Sequence, residues 1–311
     1  MTTTDGHTTL GETAARQLSN TTKTAPQWDA ITPRWLVNLL AWQPVEAGVF
    51  RVNRVLDTTD GTVECSPNDG QPLPHSFVDY DPEPREFVLS ALSTVLDVQT
   101  RISDLFRSPH DQIREQLRLT IEKVKERQET ELINNPDYGL ISQVVESQRI
   151  PTRTGPPTPD DLDDLIAKVW KQPSFFLAHP RAIAAIGREC TRRGVPPATV
   201  NLFGSQFLTW RGIPIIPSDK MPVEGGDSFG NGGTSSILLI RTGQDKQGVV
   251  GLFQPGLAGE VTPSLSVRFM GISDEAIASY LISLYCSAAA LTDDALGLLE
   301  GVDLANYYDY S

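Results

Sequence analysis

Residues 108–134 read SPHDQIREQLRLTIEKVKERQETELIN, and this stretch has the clearest periodicity of the chain. Ser108, Pro109 and Asp111 give the N-cap, first-turn proline and capping-box pattern of a helix start. Apolar residues then mark one narrow stripe at helical spacing: Ile113, Leu117, Ile121, Val124 and Leu132. The charged residues between them are interpreted as a solvated face stabilised by nearby opposite charges. The pattern predicts one long amphipathic helix of about 25 residues.

The segments upstream of this helix lack an obvious way to bury themselves within one domain. Residues 1–30 are rich in threonine and predict a disordered or extended arm. Residues 33–42, PRWLVNLLAW, predict a helix that is apolar almost all round, and therefore buried in its own core or against another chain. Residues 47–61 and 75–90 read as two strands of a long hairpin with a polar tip.

Downstream, helix and strand signals are mixed without regular alternation. A proline-rich connector at residues 150–161 is the best internal boundary. The remaining predicted helices cover residues 160–170, 180–193, 274–291 and 293–301, and the predicted strands cover 207–219, 235–242, 247–253 and 265–272. This order predicts an α+β fold without internal repeats.

Composition excludes several classes of protein. The 311 residues include 39 acidic and 26 basic side chains, a net charge of −13. Nucleic acid is therefore not expected as a main partner. No run of about 18 apolar residues predicts a membrane span, and the N-terminus lacks the apolar core of a secretory signal. Three well-separated cysteines, Cys65, Cys190 and Cys286, argue against a disulfide framework and fit a reducing cytoplasm.

Residues 223–235, VEGGDSFGNGGTS, hold five glycines beside a predicted strand. A Walker-type phosphate loop needs a lysine after its last glycine, and a dinucleotide loop must open a helix. Neither follows here, and Glu224 and Asp227 would repel a phosphate. Two interpretations remain open: an ordinary surface loop, or a loop that converges with its copies on a symmetry axis.

Catalytic constellations are not evident. His179 and Cys190 lie near opposite ends of one predicted helix, about 16 Å apart by helical rise, which is too far for a nucleophile and its base. No histidine stands at metal-ligand spacing with another histidine or cysteine. The acidic run at 160–164 suits a hard cation, but it also suits a helix N-terminus, where the helix dipole favours acids. The second interpretation is preferred.

The chain resembles the shell proteins of the second encapsulin family, in the subgroup without a nucleotide-binding insert and similar to the mycobacterial major membrane protein type. The resemblance covers about residues 12–305. It departs from the family pattern at residues 57–75 and at the glycine-rich loop. The stretches that carry the resemblance are residues 14–55, 108–129, 158–180, 248–260 and 266–272.

This resemblance implies the tailed-phage major capsid fold. Residues 1–45 would be an N-terminal arm and residues 46–90 an extended loop. Residues 91–171 would form a peripheral domain with its spine helix at 108–134. Residues 172–311 would form an axial domain together with returning peripheral strands and C-terminal helices.

The resemblance also implies a function: a self-assembling icosahedral shell of about sixty copies in the cytoplasm. Its cargo would be a cysteine desulfurase in sulfur metabolism, loaded through the disordered N-terminal segment of that enzyme. Pyridoxal phosphate would sit on the cargo; the shell would have no catalytic, cofactor or metal site, and no nucleic-acid or membrane partner. A phage or prophage capsid protein that packages DNA is the alternative, and a soluble enzyme of unknown class is a third reading.

Two sets of residues follow as candidates. The predicted pore lining comprises Glu224, Gly226, Asp227, Ser228 and Asn231. The predicted inter-subunit contacts of the arm comprise Trp28, Trp35, Leu36, Leu39, Leu40 and Trp42.

Overall fold

Two β-sheets and a long helix organise the computed structural model, which describes residues 2–4, 7–9, 31–53, 80–99, 112–226, 232–275 and 277–307. The helices are α1 (Trp35–Leu39), α2 (Gln112–Asn134), α3 (Leu140–Gln143), α4 (Pro159–Lys168) and α5 (Pro180–Arg192). The first nine strands are β1 (Thr2–Thr4), β2 (His7–Thr9), β3 (Ala41–Pro44), β4 (Val49–Val52), β5 (Arg85–Val88), β6 (Ser90–Gln99), β7 (Arg149–Pro151), β8 (Phe175–Ala178) and β9 (Ala198–Leu202). The others are β10 (Ser205–Trp210), β11 (Ile213–Pro217), β12 (Val223–Glu224), β13 (Thr234–Ile240), β14 (Val249–Phe253), β15 (Glu260–Thr262), β16 (Leu265–Ile272), β17 (Ile277–Ala290) and β18 (Leu296–Asp303). The predicted α+β class is confirmed.

The long helix α2 forms as the periodicity predicts. Leu117, Ile121 and Val124 pack on the six-stranded sheet, and Leu132 enters the main core. The apolar stripe therefore supplies the face that buries the helix. The predicted cap at residues 108–111 lies outside the described residues.

The six-stranded sheet lies under α2 and is centred on β17. Its strand order is β15-β16-β17-β14-β3, and β6 also pairs with β17 along ten residues. The strand β3, which follows α1 directly, joins this sheet by parallel pairing with β14. The N-terminal segment is thereby fixed to strands contributed from far along the chain.

The eight-stranded sheet has the order β7-β18-β13-β8-β11-β10-β9, and β12 pairs with β13. Helices α4 and α5 share one core with it, in which Leu162 and Leu165 meet Phe176 and Ile186. The strand β7 and helix α4 come from the range that the sequence placed in the peripheral domain. They pack with strands that follow residue 171, and the predicted domain division stays a prediction.

Both helices begin as their sequences predict. Thr158 and Asp161 form a reciprocal capping box at the start of α4, with Pro159 in the first turn. At α5, His179 occupies the N-cap and Pro180 the first turn. Gly194, at φ 70°, follows the end of α5 in the left-handed conformation that favours glycine.

The predicted hairpin of the extended loop is confirmed at its base. β4 and β5 pair antiparallel, with Val49 opposite Val88 and Val52 opposite Arg85. Its tip lies outside the described residues.

The two predicted C-terminal helices are wrong. Residues 277–290 form the strand β17 and residues 296–303 form β18. The sequence of β17 is rich in alanine, leucine and serine and shows no polar face, because it pairs with three strands and is buried on both faces for much of its length. Such a strand cannot be separated from a buried helix by periodicity alone.

The helix predicted over residues 33–42 is shorter in the structure. It covers only Trp35–Leu39, and the chain then extends into β3, whose backbone pairs with β14. Among the described residues, no helix is long and apolar enough to span a membrane.

Candidate assembly and pore site

The glycine-rich loop is a β-hairpin extension of the eight-stranded sheet. Its two legs pair through β12 and β13, with Glu224 opposite Thr234. The Arg181 guanidinium donates a hydrogen bond of 2.6 Å to the carbonyl of Gly232, and the Leu304 amide donates one of 3.1 Å to Gly233. The second leg of the loop is therefore anchored to the body of the subunit, and the first leg is held by its pairing with β13.

Of the predicted pore residues, Glu224 and Gly226 are described and both are exposed. Asp227, Ser228 and Asn231 lie outside the described residues. Gly233 adopts φ 86°, and a Cβ there would stand 2.6 Å from the carbonyl oxygen of Glu224. This glycine is required for the close approach of the two legs within one chain. Approach between copies of the loop stays a prediction.

The N-terminal segment is held on α2 by a row of glutamates. Glu126 accepts hydrogen bonds from the Thr32 amide at 2.8 Å and from the Thr32 hydroxyl at 2.8 Å, and it pairs with Lys220 at 3.0 Å. Burial acts to raise the pKa of Glu126, but the bonds from Thr32 and Lys220 outweigh it, and the pKa lies below its usual value. Glu126 is therefore an ionised anchor.

Two further glutamates of α2 bind the same segment. Glu122 accepts a charge-assisted bond of 2.6 Å from Arg34, and Glu129 accepts one of 3.1 Å from the Leu36 amide in the first turn of α1. Positions 122, 126 and 129 lie on one face of the helix. Sequence analysis assigned these charges to a solvated face, which is wrong for Glu126 and Glu129, since both are buried under the segment. Their i, i+4, i+7 spacing was the available signal.

Some of the candidate arm residues are buried in their own subunit, and others are partly exposed. Leu36 and Leu40 are buried in the main core of their own chain. Their predicted contact with a neighbouring subunit stays a prediction. Trp35, Leu39 and Trp42 pack on the same core but stay partly exposed. Trp28 lies outside the described residues. The segment from residue 31 onward is docked on its own subunit, because α1 and β3 satisfy their apolar and hydrogen-bonding groups there.

Several exposed apolar side chains were missed by the sequence analysis. Val95, Phe269, Met270 and Ile272, at one end of the six-stranded sheet, are 51–69% exposed. Consecutive apolar residues at 269 and 270 in a strand point to opposite faces, so one of the two had to be on an outer face. These side chains therefore do not all share one face of the sheet.

The residues tested for chemistry have structural roles. His179 accepts a hydrogen bond from the Arg181 amide through Nδ1, as the N-cap of α5. Cys190 is fully buried on the same helix, and burial raises the pKa of its thiol, which disfavours the nucleophilic thiolate. The pair therefore does not form a nucleophile with its base.

Three acidic side chains of the run at residues 160–164 make hydrogen bonds or ion pairs with nearby residues. Asp161 closes the capping box, Asp163 pairs with Arg211 at 2.8 Å, and Asp164 pairs with Arg153. Within the described ranges, no group of three or more His, Cys, Asp or Glu side chains is arranged to hold a metal ion. The helix-terminus interpretation of these acids accounts for their contacts.

A spine helix crossing one sheet, a hairpin extending from its edge and a second sheet with two helices define a subunit of the tailed-phage capsid class. The capsid of a native GTA particle shows the same fold, with a TM-score of 0.61 over 91% of this chain and 94% of that chain, at 15% identity. That likeness concerns the fold alone.

The family follows from closer relatives. The family model described as type 2A encapsulin shell protein SrpI-like matches residues 57–306. The type 2A encapsulin shell protein SrpI of Synechococcus elongatus is 63% identical over 97% of this chain and 96% of its own length. A type 2A encapsulin shell protein of Mycolicibacterium paratuberculosis is 59% identical over the same shares. The chain belongs to the type 2A encapsulin shell protein family.

A solved structure agrees with this assignment. The chain in the cryo-EM structure of the holo-SrpI encapsulin complex from S. elongatus matches with a TM-score of 0.83 and 60% identity, over 98% of this chain and all of that one. The predicted family and the predicted capsid fold are both confirmed.

Proposed function

We propose that the chain is the shell subunit of a closed icosahedral compartment that encloses a cysteine desulfurase in the cytoplasm. The observation that carries the shell role is the 63% identity, along nearly the whole chain, to a named encapsulin shell protein. The shell would contain about sixty or more equivalent copies, as closed icosahedral symmetry requires. The shell itself has no catalytic role in this proposal.

The cargo assignment rests on the family resemblance. The desulfurase would enter through its disordered N-terminal segment, and pyridoxal phosphate would be bound by that enzyme and not by the shell. A net charge of −13 per chain supports a protein cargo over packaged DNA, because DNA-lined interiors favour neutral or basic surfaces. The alternative of a DNA-packaging capsid protein is less well supported, because this chain's matches to capsid proteins are far more distant in sequence than its matches to encapsulins.

Co-expression tests both parts of this proposal. The shell chain is produced with a cysteine desulfurase from the same organism, and particles are purified by size and imaged by negative stain. We expect uniform hollow particles that carry the visible absorbance of pyridoxal phosphate. The matched control is the same desulfurase without its N-terminal segment, which should leave the particles colourless. Small oligomers would overturn the shell role, whereas colourless particles with the intact enzyme would overturn only the cargo assignment.

We further propose that residues 223–235 line a pore of the shell. Glu224 is exposed at the base of the anchored hairpin, and symmetry would multiply Glu224 and Asp227 into a ring of negative charge. Such a ring favours cations and disfavours anions, while zwitterionic cysteine would pass through a sufficiently wide opening.

Transport into loaded shells tests the pore. Asp227→Asn and deletion of residues 227–231 should both speed the entry of small anions, and the deletion spares the anchored Gly232 and Gly233. Asp245→Asn, which neutralises an exposed carboxylate in another turn, is the matched control and should change nothing. Unchanged entry rates in both loop variants would make the loop a plain connector.

A further inference from the structure

The three glutamates of α2 that hold residues 31–40 differ in whether a cation binds them. Glu122, Glu126 and Glu129 each bind a different residue of this segment. Glu122 binds the cationic Arg34 of the segment, and Glu126, which binds Thr32, also pairs with Lys220 outside the segment. Glu129 has no such cationic hydrogen-bond partner among the described contacts, and its bond to the segment is to a backbone amide.

Glu129 is also the most deeply buried of the three, with 1% of its surface exposed. It lines a cavity of about 260 Å³ between the segment, α5 and the turn that follows β11, together with Thr32, Arg34 and Asp219. The cavity exists only when the segment is docked, because Thr32 and Arg34 form one of its walls. Release of the segment would expose the carboxyl group to water.

Charges around Glu129 oppose its ionisation. Burial raises the pKa of Glu129 to about 7, against the hydrogen bond from the Leu36 amide, which lowers it. The negative charges of Glu126 and Asp219 raise the pKa further, and Lys220 lowers it. Lys220 itself is bound to both Glu126 and Asp219, so its charge is shared.

The other elements around the cavity bring little positive charge to offset an ionised Glu129. Arg34 stands on the docked segment, but its guanidinium binds Glu122 at 2.6 Å. On the α5 side, burial and then the charge of Arg181 lower the pKa of His179, so that its imidazole is neutral at pH 7. No element around the cavity therefore brings an unshared cation to Glu129 among the described residues.

We propose that docking of residues 31–40 on α2 is coupled to one proton: Glu129 carries it in the docked state, and loss of this proton to solvent favours release. The sign follows from linkage. The carboxyl group binds its proton more tightly when docked than when exposed, where its pKa is near 4.5. The docked state is therefore fully favoured below about pH 4.5 and loses this contribution as the pH rises through 7. Between pH 6 and pH 8 the docking equilibrium should weaken about tenfold.

For the assembled particle, this coupling would let an alkaline shift loosen the N-terminal segment in every subunit at once, a consequence that rests on the proposed shell function. The proton-coupled docking of residues 31–40 within one subunit, called the latch below, does not depend on the shell function.

Hydrogen exchange on the full-length protein tests the latch. Protection of the peptide that covers residues 31–40 is measured from pH 6 to pH 8 and corrected for the intrinsic pH dependence of exchange. We expect about tenfold loss of protection across this range in the natural chain. Glu129→Gln keeps an oxygen for the Leu36 amide but cannot ionise, so its corrected protection should be flat. Glu122→Gln is the matched control and should lower protection equally at both ends while keeping the slope.

A milder variant keeps the test valid if Glu129→Gln does not fold. Asp219→Asn removes a negative charge that raises the pKa of Glu129, so the midpoint of the transition should move to lower pH. A flat profile in the natural chain, an unchanged slope in Glu129→Gln, or an unmoved midpoint in Asp219→Asn would each overturn the latch. Particle formation is scored separately by electron microscopy at each pH, so that a failure of shell assembly is distinguished from a failure of the latch.

Discussion

Arg241 carries a guanidinium into the core at the edge between the two sheets, with 1% of its side chain exposed. Asp294 binds it at 2.7 Å and also pairs with Lys171 at 2.9 Å, and Thr292 donates to Asp294 at 2.7 Å. Burial acts to raise the pKa of Asp294, but these bonds prevail and hold it well below its usual range. The pair fixes the turn that leads into β18.

Asp294→Asn should destabilise the subunit by about 3–5 kcal/mol, because it leaves a buried cation without its counter-charge. Asp293→Asn is the matched control: its ion pair with Arg85 is partly exposed, and its loss should change stability by about 1 kcal/mol or less. Thermal unfolding of both variants measures the difference. Equal melting temperatures would contradict a structural role for the Arg241 pair.

The pH dependence of this pair has a definite sign. Since the pKa of Asp294 is lowered by folding, the pair contributes its full stability above about pH 4 and loses it as the pH falls further. The difference in melting temperature between Asp294→Asn and the natural chain should therefore shrink below pH 4.

At the scale of single elements, the docking of β3 on β14 depends on a glycine, which has no side chain, at position 251. Gly251 pairs with Trp42 across these strands, and a Cβ at Gly251 would lie 2.7 Å from the indole ring. The indole Nε1 donates a bond of 2.8 Å to the carbonyl of Val37, which ties the ring to α1. The ring cannot move aside without breaking that bond.

Gly251→Ala should therefore destabilise the subunit by about 1–3 kcal/mol through overpacking against Trp42. Gly187→Ala, on α5 with open space around it, is the matched control and should stabilise by up to about 1 kcal/mol. Denaturant unfolding followed by tryptophan fluorescence compares the two. A neutral Gly251→Ala would show that the β3–β14 contact is loose.

The arm is the second element whose role is open to test. Because residues 31–44 are docked on their own subunit, any crossing to a neighbour falls to the residues before them. Deletion of residues 1–30 should give folded subunits that do not close into shells, while deletion of residues 1–11 should leave closure intact. Circular dichroism checks folding and sedimentation checks closure. Full-size shells of normal stability after the longer deletion would contradict the inter-subunit role of the arm.

Charge is the property of the whole molecule that bears most on assembly. A shell would bring many copies of −13 together, and their mutual repulsion extends over about 30 Å at 0.01 M salt but only about 8 Å at 0.15 M. We therefore expect shells to melt at a higher temperature at 0.15 M than at 0.01 M salt. Equal melting temperatures would mean that the charges are compensated at the contacts between subunits.

Local signals in the sequence were sufficient for the helices that expose a polar face and for the strands that alternate. The stripe of α2, the caps of α4 and α5 and the base of the β4–β5 hairpin all follow from neighbours in the sequence. The resemblance to encapsulin shells also came from the sequence, because relatives in this family are 57–63% identical to it along 97% of the chain.

Tertiary structure decided what local patterns cannot encode. Residues 277–290 are a strand because three other strands pair with them, among them the distant β6, and burial on both faces erased the alternation that marks a strand. Leu36 and Leu40 turned inward because α2 and the strands of the core were there to receive them. Glu129 became a buried carboxyl for the same reason: its environment is built by residues almost a hundred positions away on either side, and only folding brings Leu36 and Asp219 to it.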